Sequence, residues 1–173
     1  MDWTLEVVVV PVSDIDRAVA FYADQVGFHI DHDTTIGDEA RIVQLTPPGS
    51  GCSIVIGRGV VPEMAPGTLK GLQLVVPDVE AARDELVSRG VDVSDVTVLG
   101  QSPTPMPHPL DNVGFIFFDD PDGNSWAVQQ ISTRATPSDD VVYGYPTGDL
   151  LDAEERGEVV LGGCVVGDRP EGP

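Results

Sequence analysis

The sequence predicts an α+β domain built from two copies of a βαβββ unit. Three observations lead there. Apolar, largely β-branched runs of strand length recur along the chain. Two amphipathic stretches with helical spacing each follow such a run. The second half then repeats the order of the first at an offset of 64 residues.

Residues 5–12 are apolar and mostly β-branched, the pattern of a buried strand. Ser13 or Asp14 offers an N-cap, and Asp16 puts negative charge in the first helical turn. Ile15, Ala18, Val19 and Tyr22 recur at helical spacing, which predicts a helix over 14–25 ended by Gly27. Strands follow at 28–34, 41–46 and 53–56, the last two separated by the turn Pro47-Pro48-Gly49-Ser50-Gly51. The order then returns: a strand at 72–76, Asp78 where Asp14 stood, and a helical stripe of Val79, Ala82, Leu86 and Val87 ending near Gly90. Residues 91–99 extend again, and 112–118 and 125–131 form a hairpin around Asp120-Pro121-Asp122-Gly123. Val12-Ser13-Asp14-Ile15-Asp16 thus aligns with Val76-Pro77-Asp78-Val79-Glu80. Trp126 is expected to face a helix, and Phe115, Phe117 and Phe118 to lie in the core.

These elements place one domain at 1–133, with unit one at about 4–58 and unit two at about 70–132. The stretch 100–109 has four prolines and reads as an extended loop. Residues 134–173 form an acidic Gly/Pro-rich extension, with a short helix expected at 149–156 and a strand at 158–166. Val141, Val142, Tyr143, Tyr145, Leu150 and Leu151 are apolar enough for part of it to dock.

At 173 residues and 41% apolar composition, the chain can bury a substantial core. A net charge of −20 with nine scattered basic residues gives no basic stripe, so nucleic acid and anionic membrane are excluded as expected partners. No apolar run approaches the roughly 20 residues a spanning helix requires. The absence of a basic leader ahead of Asp2 and Trp3 leads us to expect a cytoplasmic protein. Cys52 and Cys164 read as small apolar residues rather than a disulfide or metal pair.

The stretch from Val12 to Tyr22 with Gly27-Phe28, its counterpart from Val79 to Leu86 with Gly90-Val91, and the turn Asp120-Pro121-Asp122-Gly123-Asn124 together resemble the vicinal oxygen chelate superfamily. This is the group of glyoxalases, bleomycin-resistance proteins and extradiol dioxygenases, and the likeness spans about residues 4–132. It implies a curled, open-barrel-like sheet, each unit forming half, around a cleft. It also implies a homodimer. In metal-dependent members His and Glu from the first and fourth strand of each unit hold a divalent ion. Carried onto this sequence, those positions fall on Val7, about Val55, Gly71 and Ala127. None has a side-chain donor for a metal. A one-residue slip would bring Glu6 into the first position, but on the opposite strand face. No metal and no other cofactor is therefore expected.

Val7, Val9, Val55 and Ala127 then read as apolar cleft wall, with Gln73 and Gln129 as amides that orient a small ligand. His29, Asp31 and Asp33 are expected on one strand face with His32 on the other, as solvated residues rather than a metal set. His108, between Pro107 and Pro109, is a lone candidate general base in a loop over the cleft, without a carboxylate partner legible from spacing. Two readings follow. The favoured one is a metal-free binder of a small, partly apolar molecule. The alternative is an enzyme of the same superfamily (lyase, isomerase or dioxygenase type), either cofactor-free or with its metal site elsewhere.

Removing residues 137 onward should leave a cooperatively melting domain, because both units are complete by Ile131. If the extension docks through Tyr143, Tyr145 or Leu151, truncation will lower the melting temperature or the mass in solution. Unchanged values for both would make it a solvated tail.

Overall fold

The computed structural model describes residues 3–100, 108–132, 141–143 and 160–162. In the first unit β1 (Val7–Val9) leads into α1 (Ile15–Ala20), which continues as a π-helical turn over Phe21–Val26. β2 (His29–Ile36), β3 (Ala40–Thr46) and β4 (Ser53–Arg58) complete it. The second unit runs β5 (Leu72–Val76), α2 (Val79–Ser88), β6 (Thr97–Val98), β7 (Gly114–Asp119) and β8 (Ser125–Gln130). In the extension, β9 (Val141–Tyr143) and β10 (Val160–Gly162) pair in parallel; the helix expected at 149–156 lies outside the described residues.

The repeat is borne out in topology. The sheets have strand orders β1-β4-β3-β2 and β5-β8-β7-β6, with one parallel pair each, β1 with β4 and β5 with β8. Even the register returns: Val9 faces Val55 as Gln73 faces Ala127. The sheets do not close into a barrel. Both helices begin the same way. Asp14 and Asp78 are extended N-caps whose carboxylates accept from Arg17 N at 3.0 Å and Ala81 N at 2.9 Å. Gly27, with φ at +91°, ends the π-helical turn in the left-handed region that suits glycine.

Each sheet turns its helix-bearing face toward one shared core, in which Val10, Tyr22, Leu45 and Ile56 of the first unit meet Val79, Ile116, Trp126 and Val128 of the second. The aromatic centre of this core is built on Tyr22. Its ring stacks on Phe28 at 5.7 Å and meets Trp126 edge-on at 5.8 Å, while Phe118 stacks on Trp126 at 6.1 Å. Trp126 and Phe118 therefore lie where the sequence predicts. Phe115 and Phe117 do not: the pleat turns them to the opposite face, and Phe117 is 38% exposed.

The turn between β7 and β8 ties the units together. Asp120, buried, accepts from the backbone of Asp122 and Asn124 through Oδ1, at 2.9 and 2.8 Å. Its Oδ2 accepts from the Tyr22 hydroxyl at 2.8 Å and from Asn124 Nδ2 at 2.7 Å. Asn124 in turn donates to Pro11 O and accepts from Leu69 N. Asp122 accepts from Ser13 N, Ser13 Oγ and Arg17, so the second unit's turn grips the strand-to-helix junction of the first. Burial pushes the Tyr22 hydroxyl well above its ordinary pKa, and the Asp120 carboxylate pushes it further.

Two differences from the expected elements have local causes. The extended stretch 91–99 narrows to a bridge at Val93 and the short β6, because the Ser94 hydroxyl accepts the Phe117 N–H in place of a ladder carbonyl. In β2 the register shifts between Ile30 and His32, a bulge at Asp31. Asp31 consequently reaches Gln44 and Thr46 on one face. Asp33 meets Arg41 on the other, and that guanidinium, also bound to Asp16, holds Asp33 below the usual carboxylate range. The two aspartates do not share a face.

Tyr22→Phe should cost about 1–2 kcal/mol and Asp120→Ala about 3 kcal/mol in urea unfolding, because the latter orphans several buried donors. A loss below about 0.5 kcal/mol for Asp120→Ala would show that the turn does not hold the units together. Asp122 supplies a pH test. Burial works to raise its pKa, but Ser13 and Arg17 outweigh that and leave it lowered. Its contribution is thus present above the unfolded carboxyl value of about 3.9 and is lost as pH falls through the lower folded value. Asp122→Asn should lower stability at neutral pH and make acid unfolding less steep below about pH 4. A parent-like acid limb would assign that limb to other carboxylates.

Candidate functional site

The faces turned away from the shared core hold the candidate site residues. On the first sheet the pleat aligns Val7 with Ser53, Val9 with Val55 and Val55 with Gln44 on one face. Val7 is 39% exposed and Val55 is buried, so an incoming molecule would meet Val7 and Val9 first. A polar network borders them. Thr46 Oγ1 donates to Asp31 Oδ2 at 2.5 Å, so its single proton is committed there and the Ser53 hydroxyl donates to Thr46 at 2.6 Å. Gln44 Nε2 bonds both Asp31 and Ser53.

The second sheet presents a different surface. Gln73 faces Ala127, Val75 faces Gln129, and across the next ladder Gln129 faces Phe115 while Ala127 faces Phe117. The two phenyl rings lie 6.2 Å apart and within 6° of parallel, forming a continuous aromatic strip. Phe117 also borders a hollow of about 450 Å³ shared with Asp92 and Ser94. The amides are ordered by the backbone. Asn112, at φ +65°, offers a carbonyl that accepts only, so Gln129 Nε2 donates to it at 2.7 Å. Gln129 Oε1 then accepts from Gln73 Nε2 at 2.6 Å. The direction of the relay follows from its fixed end, which leaves Gln73 Oε1 as an outward acceptor.

The structure therefore gathers Val7, Val9 and Val55 on one sheet and Gln73, Ala127 and Gln129 on the other, at equivalent strands of the repeat. Phe115 and Phe117 are the residues sequence reasoning missed. Strict alternation with the buried Ile116 and Phe118 was the signal that could have found them.

The positions that the family resemblance assigns to a metal are Val7, Val55, Gly71 and Ala127. Val7, Val55 and Ala127 carry only hydrocarbon, and Gly71 has no side chain. Among the described residues no group of three His, Cys, Asp or Glu side chains comes together. His29 and His32 sit exposed on the edge strand β2. His108 lies on the α2 side of the second sheet, where its Nδ1 is 2.9 Å from Gln130 Nε2 and accepts from Leu110 N at 3.3 Å. Gln130 Oε1 accepts from Val79 N at the start of α2. Asp111, which shares Gln130 with His108, is buried. Burial raises its pKa, but bonds from Ser132 and Gln130 prevail and keep it below the usual range. The Asp111 oxygens are thus engaged by Ser132 and Gln130, and Gln130 stands between Asp111 and the imidazole.

Comparison with known proteins gives a consistent picture. The family model described as Glyoxalase/Bleomycin resistance protein/Dioxygenase superfamily matches residues 4–128. Among solved structures the chain is similar to TnmS3, an antibiotic binding protein from Streptomyces sp. CB03234. That likeness has 34% identity and a TM-score of 0.58, covering 76% of this chain and 98% of that one. A glyoxalase/bleomycin resistance protein from the same source is 35% identical, with a TM-score of 0.55 over 73% of this chain and all (100%) of that one. A superfamily member from Sphaerobacter thermophilus DSM 20745 is 27% identical, with a TM-score of 0.55 over 75% and 98% of the two chains. No curated protein matches. Among the described residues no helix is long and apolar enough to cross a membrane.

Proposed function

The chain belongs to the glyoxalase/bleomycin resistance protein/dioxygenase superfamily, and we propose that within it the protein is a metal-independent binder of a small aromatic molecule. The observation that carries this reading is the parallel Phe115–Phe117 strip beside the Asn112–Gln129–Gln73 relay. Flat apolar surface with a few oriented polar groups is how proteins hold small planar ligands. The ring faces supply stacking, and Gln73 Oε1 offers an acceptor to a hydroxyl or N–H on the ligand rim. TnmS3, similar over 76% of the chain, is an antibiotic-binding protein, which favours a ligand of antibiotic-like chemistry. Hydrocarbon at Val7, Val55 and Ala127 speaks against Lewis-acid catalysis on these faces.

In this reading the protein works as a cytoplasmic homodimer. The outward faces leave Trp3, Leu5 and Val7 alternating and exposed along the first edge, at 90%, 67% and 39%, as a surface for a second copy. The valine face of one protomer would then oppose the aromatic face of its partner.

Dialysed protein should contain no stoichiometric nickel, zinc, iron or manganese, and its melting temperature should not respond to added metal. It should bind 2-naphthol by titration, and Phe117→Ala should weaken that binding about five- to tenfold, the scale of one lost aromatic contact. Gln129→Ala should weaken it less. One equivalent of tightly held metal per chain, or turnover of a hemithioacetal, would replace the binding reading with an enzymatic one.

A further inference from the structure

A second concavity lies at the far end of the first sheet and belongs to neither part of the proposed ligand site except through Val9. After β4, Gly59 takes φ +75° and turns the chain back across β1. Residues 61–65 then face Val9, Pro11 and Val12 around a groove of about 430 Å³. The return segment is pinned: Gly67 N donates to Pro11 O, and Thr68 Oγ1 donates to Ala65 O at 2.7 Å. Gly67 itself, at φ +74°, lies so close to the Asp122 carbonyl that a Cβ would sit 2.0 Å from it. A side chain there would push the wall away, so the groove is a built feature of the fold rather than a loose loop.

Arg58 and Glu63 are the charged side chains of its lining, and the other side chains there are apolar, set between stretches of exposed backbone. Every other described basic side chain has a partner: Arg17 with Asp122, Arg41 with Asp16 and Asp33, Arg83 with Asp95, Arg89 with Glu85, and Lys70 with the Gly123 carbonyl. Arg58 has none among the described residues, in a chain with 29 acidic residues. A guanidinium left unpaired beside an apolar groove offers a two-pronged donor to a carboxylate.

We propose that this groove is a separate binding site for a molecule with an apolar body and a single carboxylate, held by Arg58. The apolar part would lie along Val9, Val12, Val61 and Met64. Glu63 in the same lining limits the charge: a dicarboxylate or a phosphate ester would bring a second negative group against it. The ligand class is thus an apolar monocarboxylate.

The test uses octanoate and its uncharged isostere octanamide, titrated against the full-length protein by calorimetry and by NMR at low ionic strength. Octanoate should bind saturably and about fivefold more tightly than octanamide, the scale of one partly exposed ion pair. Added salt should narrow that gap. Arg58→Gln should abolish the preference without changing the melting temperature, and Arg58→Lys should restore part of it. Phe117→Ala should leave octanoate binding intact, which separates this site from the aromatic face. Equal affinity for both probes, no binding of either, or a preference that survives Arg58→Gln would overturn the proposal.

Discussion

The buried carboxylate of Asp120 is the contact on which the rest of the fold depends. A charge removed from water is costly unless its lone pairs are met, and here four donors meet them: two backbone amides, the Asn124 side chain and the Tyr22 hydroxyl. Three of the four lie in the same tight turn, so the turn is made rigid by the group it surrounds. The fourth comes from the other unit and brings Phe28 with it against Trp126. A local turn is thereby converted into a joint between two sheets.

The repeat explains why two similar halves present dissimilar surfaces. Caps, strand order and register are shared, down to the pairings of Val9 with Val55 and Gln73 with Ala127. What differs is the face pointing away from the helices. One carries a hydroxyl and carboxylate network around valines, the other an amide relay around phenyl rings. Those residues are free to differ because the core is closed by their neighbours one position along each strand.

Much of the scaffold is legible in the sequence. Asp14 and Asp78 announce equivalent helix starts because a short carboxylate at that point satisfies free amides. The Asp120-to-Asn124 motif is visible as a turn, but its role as a joint is not, since nothing local says that Tyr22 lies 2.8 Å away. Strand parity puts Ala127 and Gln129 on one face, and the register implied by the family resemblance adds Gln73 from the neighbouring strand. Phe115 and Phe117 depart from the expected core because parity with the buried Ile116 and Phe118 requires the opposite face. Asp31 and Asp33 depart from strand parity for a complementary reason. A bulge, which depends on the partner strand, breaks the alternation between them. The return segment over β1 left no periodic signal at all, being held by glycine conformation and backbone bonds.

The same bulge bears on how the molecule behaves in a crowded solution. β2 is an edge strand of eight residues, exposed along its whole length, with one side of its backbone open to any extended chain that drifts by. Such an edge is a template for sheet-to-sheet growth. At Asp31 the extra residue interrupts the regular spacing that an added strand would need. Asp31, His32 and Asp33 then place strongly hydrated side chains on either side of the interruption. The irregularity that upset the reading of faces is thus also a guard against aggregation, set in the longest open edge of the first sheet.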